Sequence, residues 1–550
     1  MKTIKIFSLC LTLILALSSC SKNFLDTEMT GGTLSQEQFD ELSSINQASV
    51  RGLYLLLYAD QTSSDHIYFG QKSIDMATDM TASDMALVNN LYGWWGEEAA
   101  LRSYASDRSA TTWSYYFIMI NNANNLIRKF NGLTDKELTV QDKADLAQAK
   151  TMRAFAYYNL AYIYAPSVDD NQTPNRYATY MNPKDLVGDG LGANYPVCPI
   201  YDASERQYND STDLLMAQPL SSVTDVYEFV IADLDSAIAL FEAAGAEYTR
   251  ESKLAVDANV AKVLLAYTYL QAGGYDVYET ENGNADYYAK ALALVVDVIN
   301  NNSDDYEMLK YDEVLTTGFN NVNNDSWMWG HDVTIESRTG LASFWGQVDV
   351  YTYSYAWAGS IIGMDQTLWE SIADTDIRKQ WFDATGEDDK KNLNPYNKFY
   401  SAANRNKSTN QADIDREWLQ DVVYMRIEEA YLIASEAAWR NGDLATAKDY
   451  LKQLVEQRDT TIAAQLDGYS EEEFKTYLYK NWRVEMWGEG RALRTLKRFC
   501  IEAPKERGKN HYYNLGAGNK VEFNSATLTF WMPSSEYQYN SNYRQDLEQE

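Results

Sequence analysis

The sequence contains few of the residues that enzymes and metal sites use for chemistry. Its 550 residues include three histidines, four cysteines and nine prolines. The histidines are scattered, and the chain has no HExxH zinc motif, no GxSxG nucleophile motif and no phosphate-binding loop. These absences leave no sequence signature of a metalloprotease, an α/β-hydrolase or a nucleotide-binding enzyme.

Positive charge is also in short supply. The chain has 79 Asp and Glu residues against 47 Lys and Arg, which gives a formal net charge of −32. A surface of this charge repels phosphate backbones and anionic lipid, so we expect no nucleic-acid partner. Two acidic runs, Asp169-Asp170-Asn171 and Glu387-Asp388-Asp389, lack the spacing of an EF-hand loop. We therefore expect no cofactor, while the composition leaves a structural calcium ion open.

The N-terminus has the organisation of a secretory signal. Met1–Lys5 contains two lysines, a short apolar run follows, and small residues precede Cys20. The run is too short to span a bilayer comfortably, and no later run approaches membrane length. Leu17-Ser18-Ser19-Cys20 resembles the lipobox of bacterial lipoproteins, in which a peptidase cuts before the cysteine and its sulfur carries a diacylglycerol. We predict a signal peptide over 1–19, lipidation of Cys20, a polar tether over 20–33 and membrane contact through the lipid only. The alternative is an ordinary signal peptide that happens to contain Cys20.

Two cysteines besides Cys20 remain after removal of the signal peptide. They are Cys198 and Cys500, and their spacing resembles no metal site. In an exported chain they could form a disulfide. The alternative is two buried thiols, and the sequence carries no distance that decides between the two.

Apolar residues recur at intervals of three and four over four parts of the chain, which is typical of amphipathic helices. These parts cover about 34–58, 107–165, 222–300 and 420–499. Irregular insertions lie between them, at about 59–106, 166–221 and 301–419. Insertions of this length are functional or disordered, and their aromatic and methionine content argues against disorder. We predict a mostly α-helical protein with a single domain over 34–550.

A repeat underlies these helices. Ala434-Ser435, Gly442 and Ala447 have the offsets of a tetratricopeptide helix hairpin, in which small residues let two helices approach closely. The same offsets recur, wholly or in part, at Leu265-Ala266 with Gly273 and Ala291, and at Leu160-Ala161. They predict a tetratricopeptide-like scaffold; a chance match by alanine-rich helices is the alternative.

Charged residues near the C-terminus also lie at helical spacing. They are Arg483, Glu485, Glu489 and Arg491. We predict that this segment is a helix buried against the scaffold with its charges paired. A catalytic pair of glutamates is the alternative, although a chain with this many carboxylates offers many chance pairs.

Aromatic residues are abundant, with 42 tyrosines and 14 tryptophans. Two loops combine them with polar residues: Asn89–Gly96, with Arg102 nearby, and Phe344–Trp357. Flat rings suit the C–H faces of a sugar, amides and carboxylates suit its hydroxyl rim, and loops on a rigid frame commonly carry such sites. The candidate ligand contacts are Trp94, Trp95, Trp345 and Trp357, with Asn90, Gln347 and Asp349 as polar partners. In the alternative, these aromatic residues pack the loops against the helices, and the alternation of Tyr351, Tyr353 and Tyr355 forms a strand.

An ordered set of segments resembles a known family. The segments are FGQKSIDMATDM at Phe69–Met80, RAFAYY at Arg153–Tyr158, DTDIR at Asp374–Arg378, MRIEEAYLIASEA at Met425–Ala437, and WGEGR at Trp487–Arg491 followed by Leu496–Arg498. Together with the lipobox, their order resembles that of the SusD/RagB nutrient-binding outer-membrane lipoproteins. Leu451–Arg458 and Arg494-Thr495 depart from the family pattern, and we carry no role onto them.

The resemblance implies a fold, a location and a function. Members have about four tetratricopeptide-like hairpins, and their irregular insertions form the ligand face. They are outer-membrane proteins, lipid-anchored and facing the cell exterior, where they bind oligosaccharides, or less often peptides, and cover a TonB-dependent (SusC-like) transporter. They are not enzymes. We therefore expect a cell-surface glycan-binding lipoprotein; the alternatives are a peptide- or protein-binding lipoprotein of the same scaffold and a secreted glycosidase.

Overall fold

The computed structural model describes most of the chain after residue 48. The described residues are 49–58, 66–99, 107–165, 196–209, 211–212, 215–275, 285–301, 306–316, 318–334, 337, 340–387, 389–400, 418–499, 505–513, 520–521, 528–533, 535–536 and 540. The predicted signal peptide, Cys20 and the predicted tether lie outside them. Ser49–Glu550 fold as one unit.

Helices account for most of the described structure, and residues 49–55 form the first helical segment. The helices that follow are α1 Gln71–Thr81, α2 Gly96–Ala99, α3 Asp107–Arg128, α4 Val140–Tyr164, α5 Val223–Ala244, α6 Ala258–Tyr275, α7 Ala285–Asn301, α8 Phe344–Val348, α9 Gln366–Glu370, α10 Glu428–Arg440, α11 Leu444–Glu456, α12 Thr460–Ala463, α13 Glu471–Glu485 and α14 Ala492–Phe499. Within the described ranges, strands occur only in small two-stranded sheets. The predicted mostly α-helical fold class is confirmed.

Local sequence explains where several long helices begin. An N-cap hydroxyl bonds the third backbone N–H of the helix, while the acidic side chain at that position bonds back to the cap. These reciprocal pairs are Thr139 with Asp142 at α4, Ser222 with Asp225 at α5, and Ser470 with Glu473 at α13. At the other end of α5, Gly245 adopts a φ of 62°, a backbone conformation that suits glycine.

Consecutive scaffold helices pack against one another in chain order, from α3 through α7 to α10 and α11. In the hairpin of α10 and α11, the Ser435 hydroxyl donates to the backbone oxygen of Ala447 at 2.8 Å, so the two helices are in close contact. In the hairpin of α6 and α7, Gly273 leaves space for the ring of Tyr288. Helix α4 packs on α5 although the second predicted insertion lies between them. The small residues at the repeat offsets thus do what the tetratricopeptide-like prediction requires.

Strands connect the insertions to each other and to the frame. They are β1 Met85–Leu87, β2 Pro196–Pro199, β3 Leu220–Ser222, β4 Trp327–His331, β5 Ile362–Met364, β6 Gly386–Glu387, β7 Lys390–Lys391, β8 Val422–Arg426, β9 Lys505–Glu506 and β10 Lys520–Val521. Antiparallel pairing of β1 with β5 joins the first insertion to the third, with Leu87 opposite Ile362. Antiparallel pairing of β4 with β8 joins the third insertion to the strand that leads into α10. The first and third insertions are therefore joined to each other and to the frame and are not separate loops.

Helix α1 lies in a stretch that the sequence analysis treats as irregular, and all eleven of its residues are buried. The carboxylate of Asp79 accepts hydrogen bonds from the backbone N–H groups of Gly488, Gly490 and Ala492. Gly490 has a φ of 73°, and a Cβ there would collide with the carboxylate of Asp75. The prediction of a wholly irregular first insertion is wrong, because the WGEGR segment supplies the partners that let a polar helix be buried.

A buried cluster of charges joins α13 to three other parts of the chain. The carboxylate of Glu485 accepts from Arg378 at 3.1 Å, from Arg426 at 2.8 Å and from Arg458 at 2.9 and 3.1 Å. All four side chains are at most 2% exposed. Beside them Glu489 pairs with Arg426 and with the ammonium of Lys398 at 2.8 Å. The predicted burial and charge pairing of this segment are confirmed, and its ion-pair partners come from outside it. The predicted helix is wrong beyond Glu485, where α13 ends, because Gly488 and Gly490 have positive φ and Glu489 lies in a turn between them.

The charges of this cluster set the protonation of its carboxylates. Burial alone would raise the pKa of Glu485, but the guanidinium groups of Arg458 and Arg426 outweigh it and hold that pKa well below its usual range. Burial likewise opposes ionisation of Glu489, yet Arg426 and Lys398 lower its pKa to about 2. Both groups are therefore carboxylates at neutral pH, and neither has the raised pKa that a general acid would need.

Replacing Glu485 with glutamine should destabilise the protein strongly. The change leaves three guanidinium groups buried without their common counter-charge, which costs about 3–5 kcal/mol. Urea unfolding at pH 7 measures the loss of unfolding free energy. Glu307→Gln is the matched control, because Glu307 pairs with Lys310 at the surface, where an ion pair contributes little.

The same two proteins should differ in acid. A carboxylate with a depressed folded pKa contributes stability above its unfolded pKa and loses that contribution as the pH falls through the folded value. The advantage of wild type over Glu485→Gln should therefore shrink as the pH is lowered below about 4.5, the ordinary pKa of this residue. Equal stability of the two proteins at pH 7 would contradict the role given to Glu485.

Candidate ligand-binding surface

The two loops picked out by their composition lie side by side in the structure. The first loop, 89–96, follows β1, and the second loop, 344–357, continues through residues 358–361 into β5, so the β1–β5 pairing brings both to one place. The backbone N–H of Val88 donates to Ile361 O at 2.8 Å beyond the sheet. The backbone N–H of Leu91 then donates to the hydroxyl of Ser360 at 3.1 Å. The two loops therefore share one surface.

Three aromatic rings from these loops meet at that surface, and we call Tyr92, Trp94 and Tyr355 the aromatic trio. The rings of Tyr92 and Trp94 stack, with centroids 5.4 Å apart and planes inclined by 28°. Tyr355 meets both edge-on, at 4.4 Å from Trp94 and 5.1 Å from Tyr92. Its hydroxyl also contacts the ring nitrogen of His66. These contacts hold the rings in fixed relative orientations.

The trio is open to solvent on one side. Tyr92 is 43% exposed and Trp94 is half-buried. A second aromatic pair lies on the second loop, where Trp357, 41% exposed, has its ring 5.4 Å from that of Tyr353. The two loops thus present two nearby clusters of flat apolar rings. Rings held in place in this way offer a ligand a large contact area at a small entropic cost.

Buried side chains next to the trio connect the two loops by hydrogen bonds. The indole N–H of Trp95 donates to Gln347 Oε1 at 3.0 Å, and Gln347 Nε2 donates to the backbone oxygen of His66 at 3.0 Å. The guanidinium of Arg108 lies 4.8 Å from the Trp95 ring and pairs with Glu98 at 2.7 Å. Gln347 therefore connects the second loop to the first loop and to the chain at residue 66.

Two further predicted residues are internal to the second loop. Trp345 donates through its indole N–H to the backbone oxygen of Gln420 at 3.3 Å. Asp349 accepts from the backbone N–H of Tyr351 at 2.7 Å and from the indole of Trp418 at 2.6 Å. Asp349 thus organises a turn. The stretch that contains Tyr351 is a series of bends, and the strand alternative for the alternating tyrosines is wrong.

Asn90 holds the first loop to the C-terminal part of the chain. Its Nδ2 donates to the hydroxyl of Tyr513 at 2.9 Å, and its Oδ1 accepts from the backbone N–H of Gly93 at 2.7 Å. Gly93 has a φ of 78°, so a glycine suits this turn. Asn90 remains partly exposed beside Tyr92.

The predicted contact residues therefore fall into two groups. Asn90, Trp94 and Trp357 reach the surface. A buried group is only 2–3% exposed and does not reach the surface that carries the trio; it consists of Trp95, Trp345, Gln347 and Asp349. The role of each of the seven as a ligand contact stays a prediction, and Arg102 lies outside the described residues. Sequence reasoning did not select Tyr92 and Tyr355, although both lie in the two loops it singled out.

The described part of the chain offers few residues that could bind a metal ion or another cofactor. It contains no cluster of three or more His, Cys, Asp or Glu side chains placed to hold a metal ion. Of the two acidic runs, 169–171 lies outside the described residues, and Asp389 in the other pairs with Lys509 at 2.5 Å. Cys198 is a buried thiol whose pKa is raised by burial, and Cys500 is not among the described residues. No described helix is long and apolar enough to cross a membrane.

The chain matches two family models in succession. One, described as starch-binding and associating with the outer membrane, matches residues 25–265. The other, described as the SusD family, matches residues 275–547. Together the two matches extend over nearly the whole chain. Among curated proteins, the comparison finds no match.

Solved structures resemble this chain along most of its length. A SusD-like carbohydrate-binding protein from Bacteroides vulgatus is 20% identical with a TM-score of 0.67, over 92% of this chain and 98% of that one. A SusD superfamily protein from Bacteroides thetaiotaomicron is 21% identical with a TM-score of 0.67, over 91% and 98%. A structure with xylogluco-oligosaccharide is 15% identical with a TM-score of 0.55, over 82% and 83%. At these identities the likeness shows a shared fold.

Replacing Gln347 with leucine should loosen the link between the two loops. The change leaves the indole N–H of Trp95 and the backbone oxygen of His66 buried without their partner, which costs about 1–3 kcal/mol of stability. Hydrogen exchange of residues 89–96 should accelerate, because the first loop loses its buried anchor. Gln453→Leu, at an exposed position of α11, is the control. Unchanged exchange in the first loop would mean that Gln347 does not hold it.

Proposed function

The chain belongs to the SusD/RagB family, and from that premise we propose that it captures oligosaccharides at the cell surface through the aromatic trio and its neighbours. The observation that carries the proposal is the meeting of two distant loops in one partly exposed group of fixed rings. An isolated exposed ring would need no explanation, whereas a braced cluster indicates a binding site.

The geometry suits a sugar. A sugar ring has C–H groups on its faces, which pack on aromatic rings, and hydroxyls on its rim, which need polar partners. The trio supplies the rings, with Trp357 and Tyr353 as a second apolar area on the same loop. Asn90 and His66 lie at its edge, and each is partly or fully exposed. Both side chains are polar, and they can exchange hydrogen bonds with a neutral hydroxyl rim.

The comparisons support the same ligand class. One matching family is described as starch-binding. Among the similar structures, one protein is described as carbohydrate-binding and another contains a xylogluco-oligosaccharide. The scaffold also suits polypeptides, because arrays of helix hairpins present extended binding surfaces. Peptide capture by this chain is therefore the alternative that a binding experiment must exclude.

We also propose where the protein acts and what it serves. Lipid at Cys20 would hold it on the outer face of the outer membrane, where a captured oligosaccharide passes to a TonB-dependent, SusC-like transporter. The protein would act by binding alone, without cleaving its ligand. The lipobox at 17–20 and the family description of outer-membrane association support this location. Several acyl chains on one cysteine are enough for stable anchoring.

Trp94→Ala should weaken oligosaccharide binding by roughly 10- to 30-fold. Truncating a central aromatic contact typically removes about 2 kcal/mol of binding free energy. A glycan array first identifies a bound oligosaccharide, and calorimetry with that oligosaccharide then measures the affinity. Tyr92→Ala and Trp357→Ala should each give a smaller loss, since they remove outer rings of the surface.

Trp439→Ala is the matched control for Trp94→Ala. Trp439 is also a half-buried tryptophan stacked on another ring, Phe499, but it lies on scaffold helix α10. Its loss should leave the oligosaccharide affinity unchanged. The site assignment is wrong if neither Trp94→Ala nor Tyr92→Ala weakens binding that wild type shows. Binding to a peptide pool without any glycan would favour the peptide-capture alternative, and release of products from a polysaccharide would favour a glycosidase.

Cys20→Ala should release the protein from the membrane fraction of cells that export it. The thiol is the proposed site of lipid attachment, so the variant should also take up no labelled fatty acid. A variant that stays at the cell surface while unlabelled would show that a protein partner, and not the lipid alone, holds it there. A variant that still takes up label would exclude Cys20 as the lipidation site.

A further inference from the structure

A pocket borders α8, the short helix that also carries Gln347. Phe344 and Trp345 of this helix line the pocket, whereas Gln347 of the same helix faces Trp95 and supports the trio. Tyr58, His331 and Trp418 complete much of its wall. The pocket has about 450 Å³ of empty space when the open solvent at its mouth is counted.

Most polar groups in the wall are already occupied. The indole of Trp345 donates to Gln420 O, and the indole of Trp418 donates to Asp349 at 2.6 Å. The ammonium of Lys72, which also borders the pocket, lies 3.4 Å from the Asp75 carboxylate and donates to a backbone oxygen at 3.2 Å. The wall is thus mainly aromatic, and its one cation is neutralised by a carboxylate.

His331 is different from the rest of this wall. It lies in β4 opposite Val422, is 4% exposed, and stacks on Tyr58 with ring centroids 3.7 Å apart and planes 8° apart. Neither of its ring nitrogens has a hydrogen-bond partner among the described residues. Burial lowers the pKa of His331 to about 4, so at neutral pH the ring is uncharged and has one donor and one acceptor.

An unpartnered buried imidazole is costly for a residue that only packs. Phenylalanine would stack on Tyr58 equally well and would leave no buried polar atom without a partner. Buried polar atoms of this kind call for an explanation, and a partner from outside the protein is one. The position of His331 at the pocket wall shows where that partner would enter.

We propose that this pocket binds a neutral phenolic ring, with the imidazole of His331 as the partner of its hydroxyl group. The aromatic wall favours a flat apolar ring. The paired Lys72 and the neutral His331 provide no net charge for an anion or a cation. The unpartnered imidazole can form a hydrogen bond with one group that donates or accepts, and the hydroxyl of a phenol is such a group. The ring could belong to a tyrosine side chain or to a hydroxycinnamoyl ester carried by a glycan.

This site is independent of the proposed oligosaccharide surface. His331 is not a member of the aromatic trio, and no residue that lines the pocket belongs to the trio or to the Trp95–Gln347 pair that supports it. Variants in the two places can therefore fail separately: loss of phenol binding with intact oligosaccharide binding would concern the pocket alone.

The experiment titrates the purified protein with p-cresol and, as the matched ligand without a hydroxyl, with toluene. The chain has three histidines, so imidazole nitrogen NMR gives few signals, and the signal that is missing in His331→Phe identifies residue 331. We expect p-cresol to shift that signal in wild type. In His331→Phe the affinity for p-cresol should fall roughly three- to tenfold, while the affinity for toluene stays the same.

A second variant tests the location. Val333→Phe places a larger side chain at the wall and should abolish binding of both probes. His331→Phe should unfold at the same temperature as wild type or a higher one, since it removes an unpartnered buried group. N-acetyltyrosinamide and methyl 4-hydroxycinnamate then distinguish a peptide-borne ring from an ester-borne ring.

Three results would each overturn the proposal. In the first, p-cresol at millimolar concentration leaves the His331 signal of wild type unchanged. In the second, p-cresol and toluene lose affinity equally in His331→Phe. In the third, Val333→Phe binds both probes as wild type does.

Discussion

The structure depends on a buried carboxylate that holds three arginines. Glu485, at the end of α13, accepts hydrogen bonds from Arg378 in the third insertion, from Arg426 at the end of β8 and from Arg458 after α11. Four charges in a dry interior are costly unless each is paired, so the chain regions that carry them must come together in one arrangement. This requirement fixes the long third insertion on the helical frame, where apolar packing alone would allow several positions.

The end of α13 and the WGEGR segment that follows it connect this charge cluster to the ligand surface. Arg483 pairs with Asp84, immediately before β1, and the indole of Trp487 donates to the backbone oxygen of the same residue at 2.9 Å. Asp79 accepts from the backbone N–H groups of Gly488 and Gly490 in that segment and of Ala492 directly after it. Strand β1 is thereby held on the frame, and its pairing with β5 brings the second loop to the first. Polar anchors, and not only hydrophobic burial, determine where the aromatic rings meet.

Sequence reasoning identified the frame better than the site. The periodicity predicted helices over about 222–300, and the structure has three there, at Val223–Ala244, Ala258–Tyr275 and Ala285–Asn301, because apolar spacing records which face is buried. Sequence reasoning missed helix α1 because aspartates and threonines interrupt its apolar residues, so the segment shows no clear apolar face. These polar residues can be buried only because they bind partners some 400 positions later in the chain. No local pattern carries that information.

The same limit applies to the two loops. Their composition indicated that both could bind a ligand, but it did not distinguish between adjacent tryptophans. Trp94 reaches the surface, whereas Trp95 is buried against Gln347. Which ring faces outward depends on the second loop, more than 200 residues away in the sequence, and so do the contacts of Tyr355 with Tyr92 and Trp94. The hydroxyl of Tyr513, which accepts a hydrogen bond from Asn90 of the first loop, comes from the C-terminal part of the chain. No sequence pattern there indicated this contact.

The central claim is that charge pairing in the interior positions one aromatic surface that binds the ligand. A crystal structure of the protein with a bound oligosaccharide tests it most directly. The account predicts a sugar ring packed on Trp94 and Tyr92, with the three rings of the trio in the orientations they have without ligand. A sugar bound elsewhere, with Trp94 untouched, or a trio that forms only after rearrangement of the two loops, would contradict it.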